Sequence, residues 1–228
     1  MAAFASLGHD RYERVSATSL RLVRPAITIS HQTGTGAPEI AEQLARSLQE
    51  TEFKGSHPWS VFNHQIIERA LEEQRWPKQL AEKISEEKRS FIAELIDDVL
   101  DLQPPSWVLM PQVVETTLHL AMDGNAILVG HGATVVTAKL TNVFHVRLTG
   151  SLAKRTARVQ MLKHLTPKAA SNFIRTEDRK REKFLKTHFH ARLDNELLYD
   201  LAINTDRVSN DDAVAVISEA ARRFFSAL

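Results

Sequence analysis

The turn His31-Gln32-Thr33-Gly34-Thr35-Gly36-Ala37 carries the clearest chemistry of the chain, offering backbone donors, two hydroxyls and an imidazole in one short stretch. Glycines let a backbone approach an anion closely, and the first N–H groups of a helix beginning there lack intrahelical partners. A phosphate seated on the amides of Gly34 to Ala37 is the ligand such a cradle suits. The lysine of a Walker A loop is absent: Ala37 and Pro38 stand where Lys and Ser/Thr belong, and Pro38 also removes a donor. The same residues read equally as a tight turn whose glycines serve geometry alone. A second set is cationic. Arg155 and Arg158 lie three apart on one helix face, and Arg175, Asp178, Arg179, Arg181 and Lys183 crowd the next helix. Guanidinium groups clamp phosphates through paired hydrogen bonds and balance the charge that develops in phosphoryl transfer. With Glu177, Asp178 and Glu182 among them, the run also describes a solvated helix laced with ion pairs. His31 and His131 each follow a strand end and are candidates for neutral phosphate donors or acid–base groups near neutral pH.

These side chains need elements to present them. Ala26 to Ser30, β-branched at Ile27, Thr28 and Ile29, predicts a first strand. Pro38 suits a first helical turn, and Ile40, Ala41, Leu44, Ala45 and Leu48 recur at helical spacing through Gln49. Trp59 to Phe62 predicts a short strand. Gln65 to Met122 is helical in pattern, broken near Pro77 and at Pro104-Pro105 into about four helices. Ala126 to Val129 and Val143 to Leu148 are apolar runs typical of strands covered on two faces. Ser151 caps one helix, and Thr166-Pro167 starts a very polar one running to about His190. Leu201 to Asn204 is the last strand, and Asn210 or Asp211 caps a final helix to Phe225. Such alternation predicts a parallel sheet with helices on both faces, whose ligands bind beyond the carboxyl ends of the strands. Ser30–Gly36, Gly130–Gly132, Thr149–Ser151 and Asn204–Asp206 then converge on one crevice.

With 228 residues, 43% hydrophobic and 25% charged, the chain is sized for one α/β domain with an insert, or for two small domains. A formal net charge of +1 gives no general attraction to nucleic acid or membrane surfaces. The absence of cysteine excludes disulfides, thiolate chemistry and Cys-ligated zinc. No stretch approaches the roughly 18 apolar residues of a membrane span. Arg11, Glu13 and Arg14 stand where a signal peptide would be apolar. The expectation is a soluble cytoplasmic protein.

Taken in order, the segments resemble the cytidylate kinase-like family of P-loop nucleoside monophosphate kinases over nearly everything from Ala26 to Arg223. ITISHQTGTGAPEIAEQLA is similar to that family's strand, glycine turn and helix. AILVGHGATVV, Ala126 to Val136, looks like its strand followed by Gly-Arg-Gly or Gly-Arg-Asp. NVFHVRLTGSLAKRTARV resembles the approach to the mobile lid, and LTPKAASNFIRTEDRKREKF the lid helix with its spaced Asp and Arg. YDLAINTDRVSNDDAV resembles the last strand, base-side loop and final helix.

The resemblance implies a fold, a reaction and roles. The fold is α/β, a parallel sheet with helices on both faces, in a domain at 25–228 preceded by an arm at 1–24. It carries a helical acceptor-side insert at about 64–122 and an arginine-bearing lid at about 158–190. The reaction moves a phosphoryl group from ATP to a nucleoside monophosphate or similar small acceptor, with ATP and Mg2+ as cofactors and no metal ligand from the chain. His31, Thr33, Gly34, Thr35, Gly36 and Ala37 would hold the donor phosphates. Asn63, Gly130, His131 and Gly132 would meet the acceptor, and Thr205 and Asp206 would border the donor base. Arg155, Arg158 and Arg181 would be the lid cations, oriented by Asp178. The implied partner is a small-molecule nucleotide, with no nucleic acid and no membrane, and self-association into a homo-oligomer is left open. The departures from the family pattern imply an alternative. His31, Pro38 and His131 replace arginines, Asn63 replaces a frequent aspartate, and no hydroxyl follows the glycines. Arginine-type groups contribute on the order of a thousandfold or more each in phosphoryl transfer. The alternative is a catalytically impaired kinase fold acting as a nucleotide- or anion-binding or interaction module.

Overall fold

The computed structural model describes residues 24–51, 58–63, 110–130 and 132–227. Nearly all of the N-terminal arm, most of the expected helical insert and His131 lie outside the described residues. Five strands form one sheet: β1 (Ala26–His31), β2 (Ser60–Asn63), β3 (Ala126–Val129), β4 (Val143–Thr149) and β5 (Leu201–Asn204). All four pairings are parallel, in the order β2-β3-β1-β4-β5. The connection leaving β1 runs toward β2 and the one leaving β4 runs toward β5. The two connections therefore leave the carboxyl ends of these neighbouring strands in opposite directions, and the crevice they open is where ligands settle in open α/β sheets.

The helices follow from the side chains they bury. α1 (Ala37–Thr51) sets Ile40, Leu44 and Leu48, at a spacing of four, against Ile27 and Ile29 of β1. The final helix, α6 (Asn210–Ser226), joins the same layer through Ala213, Ile217 and Ala221. On the opposite face α2 (Met110–Asp123) contributes Val114 and Leu118, and α3 (Ala133–Val136) contributes Val136. α4 (Leu152–Lys163) begins where Ser151 accepts from the Lys154 amide. α5 (Pro167–Phe189) begins where Thr166 accepts from the Ala169 amide, with Pro167 in its first turn. Both starts are where the cap residues predict them.

One local reading is corrected and one element is added. Ser209, rather than Asn210 or Asp211, caps the last helix, because its hydroxyl accepts from the Asp212 amide at 3.1 Å. The four-residue helix after Gly132 has no counterpart in the sequence pattern, since one turn is too short to display a period. Among the described residues no helix is long and apolar enough to cross a membrane.

Candidate functional site

The turn after β1 closes on itself. Thr35 Oγ1 donates to the Gln32 carbonyl at 2.8 Å and the Thr35 amide donates to the same oxygen at 3.3 Å, so this hydroxyl is used internally. That corrects the expectation of two hydroxyls presented outward. Gly34 at φ 87° and Gly36 at φ 84° occupy the left-handed region that L side chains avoid. Their neighbours exclude a side chain as well: a Cβ on Gly34 would lie 2.9 Å from the Arg155 carbonyl, and one on Gly36 would collide with the Arg158 guanidinium. The N–H groups of Gly34, Gly36 and Ala37 are left without a partner among the described residues. They cluster at the N-terminus of α1, where the aligned peptide dipoles add positive potential.

Cations surround this turn from α4 and α5. Arg155, buried, donates through Nη1 to the Thr33 carbonyl at 3.1 Å and to Asp178 Oδ2 at 2.7 Å, and through Nε to the Gly150 carbonyl at 2.9 Å. Arg158 Nη2 donates to Asn210 Oδ1 at 3.2 Å, while its Nη1, at Gly36, is sealed from solvent and has no hydrogen-bond partner. Arg181 Nη1 donates to the His31 carbonyl at 3.0 Å and reaches Thr33 Oγ1 at 3.4 Å and Asp178 Oδ1 at 3.3 Å. The structure brings all three arginines to the turn.

Asp178 joins them. Its Oδ1 accepts from the Thr33 amide at 2.9 Å while its two oxygens bridge Arg155 and Arg181. Burial opposes its ionisation, but the hydrogen bonds from Thr33 and Arg155 outweigh that, and the carboxyl is held below its ordinary range. The reason Asp178 and Arg181 point inward is the helix period. Ala170, Ile174, Leu185 and Phe189 form the buried stripe of α5, and 178 and 181 fall within it at spacings of four, three and four. Arg175, Arg179 and Lys183 lie off the stripe and are exposed, as a solvated face requires.

His31 stands beside Gly130, its Cε1 3.6 Å from where a Gly130 Cβ would be. Burial and then the nearby Arg181 push its pKa down to about 3, so the ring is neutral, and its Nδ1 is enclosed without a partner. Asn63 ends β2 in register with Val129, just before Gly130. Gly132 lies against Phe189 of α5. Thr205 ties β5 to β4 through the Thr149 carbonyl, at 2.8 Å from its amide and 3.0 Å from its hydroxyl. Asp206 accepts from the Ser151 amide at 3.0 Å, beside the start of α4, and hydrogen bonding from the Ser151 side chain, with the amide bond, holds its carboxyl below the usual range. Sequence reasoning passed over Arg147, Ser30 and Tyr199, although a charge inside the apolar run VFHVRLT was visible.

No group of three or more His, Asp or Glu side chains that could hold a metal ion occurs among the described residues. Ala37 and Pro38 supply no hydroxyl after the glycines, and β3 ends on Val129 rather than on a carboxylate. Among the described residues, then, none makes a protein-built Mg2+ site.

A glycine turn between the first strand and first helix of a parallel five-stranded sheet, ringed by arginines from the two helices after β4, defines a protein of the P-loop kinase fold. The chain belongs to the cytidylate kinase-like family, whose model it matches over residues 26–207. It is similar to the crystal structure of an uncharacterized protein from Eubacterium ventriosum ATCC 27560, with a TM-score of 0.60 at 14% identity, covering 88% of this chain and 99% of that one. That likeness shows the fold. Shikimate kinase from Bacteroides thetaiotaomicron matches with a TM-score of 0.47 at 14% identity, over 86% of this chain and 96% of that one. A gluconokinase from Sinorhizobium meliloti 1021 matches with a TM-score of 0.41 at 11% identity, over 90% and 93%. No curated protein matches the chain by sequence.

Proposed function

We propose that the protein is a cytoplasmic phosphotransferase moving the γ-phosphoryl group of ATP to a nucleoside monophosphate or similar small acceptor. One observation carries the reading: among the described residues three N–H groups, at Gly34, Gly36 and Ala37, lie unpaired at the N-terminus of α1, and the unpaired Nη1 of Arg158 lies against Gly36. Backbone donors and a cation so arranged match a chain of phosphate oxygens. In this reading the amides seat the donor phosphates, and Arg158 supplies the charge that a Walker lysine brings elsewhere. Arg155 and Arg181, set by Asp178, flank the transferring group, and Thr205 and Asp206 border the base. The segment at 64–122 forms the acceptor side with Asn63 and the Gly130–Gly132 loop, and the region at 158–190 is the lid. Any Mg2+ travels on the nucleotide phosphates and water rather than on protein ligands.

The second reading is a kinase fold that binds an anion without turnover. It is favoured by Ala37 in place of lysine and by Asp178, which already holds the Thr33 amide. Calorimetric titration with ATP, with and without Mg2+, followed by a screen of monophosphate acceptors for ADP release, separates the two. Turnover that falls on the order of 100-fold or more in Arg155→Ala and in Arg158→Ala is expected of the phosphotransferase. Binding without turnover selects the second reading, and no binding at about millimolar ATP removes both as nucleotide-based functions.

A further inference from the structure

The glycine turn already holds an anion, and that anion is a side chain of the protein itself. Asp178 Oδ1 accepts from the Thr33 amide at 2.9 Å, and Oδ2 accepts from Arg155 Nη1 at 2.7 Å. Arg181 Nη1 lies 3.3 Å from Oδ1. A turn amide and two guanidinium groups are the donors a phosphate oxygen engages, and a carboxylate competes for them with oxygens of the same kind. Helix α4 meanwhile lies directly on the turn. A Cβ on Gly34 would sit 2.9 Å from the Arg155 carbonyl and 3.0 Å from Val159 Cγ2, and one on Gly36 would collide with the Arg158 guanidinium. Over these glycines not even one added carbon fits, so a larger group enters that space only if α4 moves away.

The packing allows that movement. Helix α4 and the first half of α5 share a small core of their own, Val159 with Ala170 and Ile174, apart from the two cores on the sheet. The second half of α5 is anchored in the sheet's core by Leu185 and Phe189. Asp178 stands on the same helix face between these two regions, so its bond to Thr33 ties the outer unit to the turn. Charge decides which anion can undo the tie. Arg155, Arg158 and Arg181 against one carboxylate leave a surplus of two positive charges at the turn. A lone anion only exchanges with the carboxylate. A chain of phosphates also meets that surplus, together with the amides of Gly34, Gly36 and Ala37, which are unpaired among the described residues.

We infer that Asp178 is an inhibitory latch: its carboxylate holds the place of a phosphate oxygen on Thr33, Arg155 and Arg181, and keeps α4 and α5 shut on the turn until a polyphosphate chain displaces it. The inference rests on the phosphotransferase reading, in which that chain is the donor's. The ligand-free protein is then closed because it is bound to itself. Free phosphate leaves the latch in place, and only an anion of several linked phosphates opens it. The displaced carboxylate, already 27% exposed, turns to solvent.

The chain has no cysteine, so Glu42→Cys on α1 and Arg175→Cys on α5, both exposed, accept a pair of spin labels with no competing site. Pulsed electron double resonance on the full-length protein then reads the distance between the two helices. With no anion, and with inorganic phosphate, the labelled protein should give one narrow distance. Asp178→Asn in the same background should give a longer or broader distribution, which tripolyphosphate narrows again. By calorimetry at constant ionic strength, Asp178→Asn should bind tripolyphosphate about tenfold or more tightly than wild type, since a competing charge-assisted hydrogen bond is gone. A carboxylate that only orients the arginines does the opposite and weakens binding when removed. A distance unchanged by Asp178→Asn, equal or weaker binding by the variant, or no binding by either protein overturns the inference. Wild type provides a further test if the variant does not fold. With a fluorophore on Arg175→Cys, stopped-flow binding rates should level off at one ceiling for pyrophosphate and tripolyphosphate alike, because neither ion takes part in opening the latch. Rates that rise linearly throughout, or ceilings that differ between the two ions, overturn it equally. No step needs ATP or turnover: tripolyphosphate that releases the latch in a protein that makes no ADP supports the latch and refutes the phosphotransferase reading alone.

Discussion

Replacing Asp178 with asparagine removes one negative charge and keeps the shape, which isolates the electrostatic part of the arginine cluster. In the native protein one carboxylate oxygen takes the Thr33 amide at 2.9 Å, the other takes Arg155 at 2.7 Å, and Arg181 lies 3.3 Å away. The side chain of Asp178 is 27% exposed and that of Arg155 is 9% exposed. Surface pairs contribute about 0–1 kcal/mol, and breaking a fully buried pair costs about 3–5 kcal/mol. An intermediate site with one well-buried arginine places Asp178→Asn at a loss of about 2–3 kcal/mol. With a urea m-value of about 2–3 kcal/mol/M for a chain of this size, the midpoint should fall by about 1 M. Arg155→Met and the double variant complete a cycle whose coupling should be about 1.5–3 kcal/mol. The sign with pH is fixed too. The folded carboxyl lies below its ordinary range, so its contribution is complete above roughly pH 4 and disappears as pH falls through the lowered value. A midpoint within about 0.2 M of wild type at pH 7, or additive single variants, would mean that Asp178 does not hold the cluster together.

His31 titrates with the same sign for a different reason. Its folded pKa is about 3 against 6.5 for the free side chain, so below pH 6.5 the unfolded chain takes up a proton that the folded ring refuses, and stability falls by up to about 1.4 kcal/mol per pH unit. His145 and His188 are also lowered, by burial, and remain in a His31→Gln variant, so only the difference from wild type reports His31. Urea midpoints at pH 7.5, 6 and 5 should show wild type losing about 2 kcal/mol more than the variant between pH 7.5 and 5; parallel curves exclude the assigned environment. Ala37→Lys, which writes the missing lysine back, should not restore a Walker site. Ala37 is 1% exposed and belongs to the core cluster with Ile40 and Ala41, so the variant should lose about 2 kcal/mol or more in chemical denaturation and bind ATP no more tightly. Unchanged stability together with tighter ATP binding contradicts that placement.

Strands were legible wherever burial on both faces left a continuous apolar run. Ala126–Val129, buried throughout, has the bounds expected of it, and the strand from Val143 continues one residue further, to Thr149; Leu201–Asn204 also has its expected bounds, although it is a partly exposed edge strand. Helix starts were legible where one cap residue stood alone, as at Ser151 and Thr166. They were ambiguous where Ser209, Asn210 and Asp211 compete, because only geometry decides which oxygen reaches an amide three residues on. Arg147 was visible as a charge but its surroundings were not. Its contact with Ser30 depends on strands 117 positions apart falling into register. The fate of the Thr35 hydroxyl was hidden for a related reason, since it follows from two glycines at positive φ closing the turn onto Gln32.

The lost lysine is better described as a displaced cation. A lysine at the start of α1 would bring its charge from the cradle's own helix, but there Ala37 is committed to the core. The charge at Gly36 comes instead from Arg158 on α4, and those at Thr33 come from Arg155 and Arg181 on α4 and α5. Gly36 is then required twice, by its backbone angle and by the guanidinium that occupies the space of its absent side chain. Helices α4 and α5 are held together by Val159, Ala170 and Ile174, a small cluster beside the sheet's main core. Under the proposed function, affinity of the turn for an anion is therefore coupled to the docking of these two helices rather than built into α1. Any loosening of that small cluster withdraws three cations at once, and the Asp178 bond to the Thr33 amide is what holds them over the turn when no anion is there to do so.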